Sequence, residues 1–189
     1  MKRIIIGALV GGIIIFICQT LSWTILDLHR PANQFTPKQD EIMTYLNGQF
    51  SEDGSYFMPG TAPGASSEVM EQHMKAAAGK PWAVVAYHKV QDANMVMNIF
   101  RGLIVDILMV GLFCWILSRF ANPRFSNVFI ASILTGLVVF LNVPYTTHIW
   151  FKTFDLGAFL IDSIVGWGLA GIWLGWWYGR TNKVSVTLK

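Results

Sequence analysis

Charge is what this sequence has least of. Charged residues make up 13% of its 189 positions, against ~25% in an ordinary soluble domain. The shortage is local, because acids and bases gather in a few segments and leave long apolar runs between them. Cysteine is scarce as well. The two cysteines, Cys18 and Cys114, are expected at different depths of two membrane spans, which rules against the ~4.4–6.8 Å Cα separation of a disulfide. No CxxC pair occurs, so thiol-redox chemistry is disfavoured. A nucleophile elbow, a Walker loop, a dinucleotide fingerprint and HExxH are all missing, which leaves catalysis without positive support. No histidine falls within the expected spans, so haem ligation from inside them is not expected. No cofactor is implied.

What is present is hydrophobic: 53% of the chain. A bilayer core ~30 Å thick takes ~20 apolar residues at a helical rise of ~1.5 Å. Four runs meet that length, 4–26, 98–120, 127–143 and 157–178, and the third is the shortest. Lys2 and Arg3 precede the first run, Arg119 and Arg124 separate the second from the third, and Arg180, Lys183 and Lys189 follow the fourth, with no acid in any of these segments. Basic residues beside short loops mark the cytoplasmic side. Both termini are therefore expected inside, with 27–97 and 144–154 outside. The net charge of +3 follows from this topology and does not point to nucleic acid. The N-terminal run is expected to stay as an anchor. No small-x-small cleavage site follows Ile17, and Ile17 before Cys18 is wrong for a lipoprotein signal.

The expectation is thus an all-α membrane protein: a four-transmembrane-helix bundle with a small, mainly helical extracytoplasmic domain between helices 1 and 2. Its divisions are 1–26, 27–97 and 98–189. Within 27–97, Thr36-Pro37-Lys38-Gln39 reads as a helix start with Thr36 as N-cap, and Gly48 reads as its stop. A second helix is expected over 67–78, with Glu68 and Glu71 in its first turn and Gly79 beyond its end. The Gly-, Pro- and Ser-rich stretch 50–66 reads as loop. Segment 81–88 is ambiguous between strand and interfacial helix, with an extended form favoured. Trp23, Tyr145, Trp150 and Phe151 are assigned to the outer aromatic belt, and Trp115, Phe120, Trp176, Trp177 and Tyr178 to the inner one.

Helices in lipid pack closely through small residues. Gly7 and Gly11 on the first span, and Gly171 and Gly175 on the fourth, are the candidate packing positions, with mutual approach of those two helices the natural inference. Polar residues gather at the outer end: Gln19, Asp106, Asn142 and Asp162. Asn98, Gly102 and Asp106 share a helical stripe, as do Asp162, Gly166 and Ala170, which should turn both carboxyls toward other helices. An Asp at the centre of a span costs about 3 kcal/mol. Arg101 diverges from Asp106 on its own helix but can reach Asp162 across helices. A ligand site around Asp106, Asp162, Arg101, Gln19, Asn142 and His148 is the functional candidate, and hydrogen bonding within the bundle is the plain alternative. His29 and His148 could meet Asp27 or Asp155 at the outer surface in a zinc-like set, but no local motif supports it. Met70, His73 and Met74 share one helical face that fits a soft metal and fits an ordinary packing face better. No metal site is assigned.

Tyr56-Phe57-Met58-Pro59, Gly79-Lys80-Pro81-Trp82, Pro144-Tyr145 and the run Asp162…Gly166-Trp167-Gly168…Gly175-Trp176-Trp177 resemble small uncharacterised four-span proteins of bacterial inner membranes. The resemblance implies that setting and no activity. The topology is also similar to that of claudin-like proteins, but their tryptophan–glycine–leucine–tryptophan and paired-cysteine signature is missing from the outer segment. The expected function is that of a non-enzymatic accessory or structural subunit in contact with lipid and with other membrane subunits or itself. A small-molecule, ion or lipid binding or transport protein is the first alternative. An outer-leaflet enzyme is the second.

Overall fold

The computed structural model describes residues 1–91, 94–121 and 123–179. In chain order the elements are α1 (Lys2–Thr24), a 3-10 turn (Arg30–Ala32), α2 (Gln39–Gln49), β1 (Gly54–Met58), α3 (Ser67–Ala77), β2 (Ala83–Tyr87), α4 (Met95–Leu117), α5 (Phe125–Phe140), a π turn (Leu141–Tyr145), α6 (Thr146–Phe151) and α7 (Leu156–Gly179). They form two compact units. One comprises Met1–Gln34 and the chain from Asn94 onward, the other Phe35–Ala93.

The first unit holds four helical stretches long and apolar enough to cross a membrane: Lys2–Thr24, Met95–Leu117, Phe125–Phe151 and Leu156–Gly179. The third runs well past the expected end at residue 143. Proline lacks the N–H that an α-helix needs and its ring crowds the preceding turn, so Pro144 reads as a stop. Here the wider π turn accommodates Pro144 and the helix continues, with Thr146 Oγ1 donating to Leu141 O at 2.9 Å. His148 consequently lies inside a stretch of spanning length, contrary to the expectation that none of the spans contains histidine.

Helix α1 packs on α4 and on α7, and α5 packs on α7. Ile15, Val110, Phe113, Cys114, Leu117, Val128, Trp167, Ala170, Leu174 and Tyr178 form the buried core. The approaches are tight. A Cβ at Gly12 would stand 2.6 Å from the Ile107 Cα. Gly7 and Gly11 face Cys114 and Val110 of α4, whereas Gly171 and Gly175 face Ser132 and Phe125 of α5. The tightest approaches at the two glycine pairs are thus to two flanking helices, while Gly7 also meets Leu174 and Tyr178 of α7 at 3.5 and 3.7 Å, in keeping with the expected approach of α1 and α7. Tyr178, expected at the membrane boundary, is 2% exposed, and its hydroxyl donates to Cys114 O at 3.3 Å. Arg3 ties the start of α1 to the end of α7: Nη2 donates to Trp177 O at 3.0 Å and to Tyr178 O, and its guanidinium lies 4.5 Å over the Tyr178 ring. A cation on the last carbonyls of a helix is favourable.

The second unit adds a two-stranded sheet to its two helices. β1 and β2 pair antiparallel, with Tyr56 opposite Val85 and Phe57 opposite Val84. Aromatic and β-branched pairs across strands stabilise such a ladder, and this outweighs the Gly, Pro and Ser that flank β1 in the stretch expected to be loop. Tyr87 is buried, donates its hydroxyl to Asn47 Oδ1 at 2.7 Å and meets the Phe50 ring at 5.3 Å. Phe50 stacks on Tyr56 at 3.8 Å. Helix α2 begins after Lys38 rather than at Pro37, because the Thr36 hydroxyl accepts from Lys38 N–H at 3.3 Å in a turn of its own. It also runs past Gly48 to Gln49. Ser66 caps α3, accepting from Val69 N–H at 3.3 Å, and Gly79 follows it at φ 75°.

Candidate functional site

The chain reverses direction just after α1. Ile25 N–H bonds to Leu21 O and Leu28 N–H to Ser22 O, each at 3.0 Å. Between them Asp27 adopts φ 50°, a left-handed conformation that a short polar side chain tolerates better than most. The reversal lays the His29 ring flat on Trp23, with centroids 3.9 Å apart and planes 5° apart. The 3-10 turn begins at once. The His29 carbonyl accepts from Ala32 N–H at 3.0 Å and from Asn33 Nδ2 at 3.3 Å, which holds the ring's backbone in place.

Helix α7 supplies the opposing surface. Asp155 immediately precedes it, and its carbonyl accepts from Phe159 N–H at 3.2 Å. Asp162 lies seven residues further on, two turns and nearly the same azimuth at 3.6 residues per turn. Phe159 lies between them and meets His29 edge-on, at 4.8 Å and 69°. The imidazole thus spans the gap between two carboxyls of one helix face. Nδ1 is 2.8 Å from Asp155 Oδ2, and Nε2 is 2.9 Å from Asp162 Oδ2. His29 is 1% exposed and Asp155 6%.

Each of these two contacts needs one hydrogen between nitrogen and oxygen. A neutral imidazole has one N–H and one bare nitrogen, and an ionised carboxylate only accepts. Three fully deprotonating groups therefore cannot make both bonds. Two hydrogens make both, carried by an imidazolium between two carboxylates or by a neutral ring with one protonated carboxyl, and either arrangement has a net charge of −1. The carboxyls approach opposite edges of the ring, so one metal ion cannot take both carboxyls and a ring nitrogen together. No cluster of three or more ligating side chains suited to a metal occurs among the described residues.

The residues singled out from the sequence do not converge on one point. Asp162 belongs to the His29 pair just described. Asp106 is 2% exposed, with Gln19 beside its carboxyl and its Oδ2 without a partner among the described residues. Nothing pairs Asp106 with Asp162. Arg101 is exposed and forms no ion pair among the described residues. Asn142 is exposed in the π turn. His148 is half-buried, its Nδ1 lying 3.1 Å from both Thr153 O and Thr153 Oγ1, so it serves the turn after α6 and does not join His29. A separate cavity of about 150 Å³, lined by Leu117, Phe120, Pro123, Asn127, Val128 and Ala131, lies between the end of α4 and the start of α5 and contains none of these groups.

His29 is the residue that sequence reasoning undervalued. Its pairing with Asp155 was considered only within a zinc-like set, and its pairing with Asp162 was missed. The available signal was on α7, where Asp155, Phe159 and Asp162 share one face at i, i+4 and i+7. A carboxyl–aromatic–carboxyl face fits a flat cation. Comparison of the chain with protein-family models, curated proteins and solved structures finds no match.

Proposed function

We propose that this chain is a non-enzymatic accessory or structural subunit of a membrane assembly. On this reading its spans close into a four-helix bundle, both termini face the cytoplasm, residues 27–97 lie on the outer side, and the setting is a bacterial inner membrane. The basic segments around Lys2, Arg3, Arg119 and Arg124 support that orientation.

The observation that carries the reading is the saturation of His29. General acid–base chemistry needs a group within hydrogen-bond reach of the substrate's proton. Both ring nitrogens of His29 already face carboxyls of its own chain at 2.8 and 2.9 Å, and Trp23 covers one ring face. The arrangement fastens the exit of α1 to the start of α7, which suits a frame more than a reaction centre. Purification from the source membrane in mild detergent, with mass analysis of everything that accompanies the chain, tests the proposal. A companion protein in fixed stoichiometry, or a defined homo-oligomer, is expected. A monomer with no companion would overturn it.

A second reading, ion binding within the spans, is favoured by a separate observation: the enclosed Asp106 carboxyl has an unpartnered Oδ2. Buried polar atoms are usually satisfied, and an exception calls for a water or an ion.

A further inference from the structure

We infer that His29, Asp155 and Asp162 form a proton-binding latch, in which an imidazolium held between two carboxylates fastens residues 27–34 to α7 and loss of one proton releases them. The ligand of this site is the proton itself. The inference stands apart from the identity of any partner subunit.

Three observations carry it. First, both ring nitrogens lie within hydrogen-bond distance of carboxyl oxygens, so two hydrogens must be present for both contacts to hold. Second, the groups come from different parts of the chain. His29 belongs to the turn after α1, and the carboxyls belong to the residue just before α7 and to α7 itself, so the two bonds join segments 126 and 133 residues apart in sequence. Third, His29 alone bonds the segment to the α7 side among the described residues. Beyond His29, no hydrogen bond ties it to α7 among the described residues: Leu28 N–H bonds to Ser22 O of α1, and the rest are internal, namely Ala32 N–H and Asn33 Nδ2 to the His29 carbonyl, Gln34 Nε2 to Arg30 O, and the exposed Arg30–Asp27 pair at 3.9 Å.

The groups around the ring are few. Asp155 and Asp162 face it from α7, with Phe159 between them. Trp23 faces it from α1, and Cys18 on the same helix lies within electrostatic reach of Asp162. Among the described residues no lysine or arginine pairs with either carboxylate. On this reading the imidazolium is the cation that faces them both, leaving a net charge of −1. When it gives up a proton, one nitrogen becomes a lone pair facing a carboxylate, acceptor against acceptor. That contact turns from attractive to repulsive, and the neutral ring keeps a single bond. The latch is thus complete at lower pH and opens as pH rises. Strong acid weakens it from the other side by protonating the carboxylates.

The test uses the full chain in lipid bilayers with ¹⁵N-labelled histidine, His29→Gln identifying which ring signal belongs to His29. In parallel, spin labels at Gln34→Cys and Phe154→Cys, on a Cys18→Ser, Cys114→Ser background, report the distance between the latched segment and the approach to α7. The expected result is a doubly protonated His29 ring while the segment is latched, converting to the neutral form on raising pH, with the label distance lengthening in the same step. Asp162→Asn should shift that step to lower pH. A His29 ring that is neutral wherever the chain is folded would overturn the inference. So would a change in ring protonation with no change in distance. A chain that unfolds before the ring titrates would also count against a latch, since the site would then hold the whole fold rather than one segment.

Discussion

At the scale of single residues, two carboxyls expected to act together have opposite circumstances. Asp162 faces a histidine ring nitrogen at 2.9 Å. Asp106 has Gln19 beside it and an Oδ2 with no partner among the described residues. Neutralising them should therefore have unlike effects. Asp162→Asn weakens a hydrogen bond between charged groups, worth ~1.5–3 kcal/mol. For a chain of this length, that corresponds to a thermal midpoint lowered by roughly 5 °C in detergent, at ~2–4 °C per kcal/mol. His29→Leu should be worse, since it strands the buried Asp155 and the half-buried Asp162 without their partner, a loss of ~3–5 kcal/mol by analogy with breaking other buried pairs. Asp106→Asn keeps the shape and removes an ionisable group that has no cation. Its midpoint should stay level or rise, and a fall as large as that of Asp162→Asn would show that Asp106 holds something the chain itself does not supply.

At the scale of elements, the contacts between helices separate two kinds of glycine. Gly12 has its neighbour's backbone where a methyl group would go, with Ile107 Cα at 2.6 Å. Backbone cannot rotate aside as a side chain can, so Gly12→Ala should push α1 and α4 apart and destabilise by ~1–3 kcal/mol, the usual range for overpacking. Gly48, in α2, has nothing within 4 Å of its would-be Cβ. Gly48→Ala should stabilise α2 slightly, because alanine is favoured over glycine in a helix interior by ~1 kcal/mol. Thermal unfolding of the two variants side by side checks both signs. The same geometry explains why the glycine stripes did not reveal their partners. A stripe of small residues shows that some surface comes close, but which helix it is depends on how four spans are arranged. Here Gly11 receives α4, Gly7 receives both α4 and α7, and Gly171 and Gly175 receive α5. Pro144 teaches a related lesson. Its missing N–H ends an α-helix in isolation, yet a π turn and the Thr146 hydroxyl carry the helix on.

At the scale of the whole molecule, the proposed orientation gives a direct prediction. With native cysteines replaced, a cysteine at Ser55 should react with a membrane-impermeant maleimide in intact cells, and one at Ser126 only after permeabilisation. The reverse pattern would invert the topology. Four spanning stretches were legible in the sequence because hydrophobic length depends on composition alone, and composition needs no knowledge of neighbours. The cap at Ser66 and the helix after it were nearly as plain, since the signal and the structure it causes lie within a few residues. The strand Gly54–Met58 was not, because it exists through pairing with Ala83–Tyr87, and its flanking residues read locally as loop. The site divides in the same way. That carboxyls within and beside the spans require partners was determined by the sequence, since charge in an apolar setting is costly wherever the chain goes. That His29 is the partner of Asp155 and Asp162 was decided only by the tertiary structure. It depends on the reversal after α1 at Asp27 and on the docking of that turn against α7, and no short window of sequence contains both.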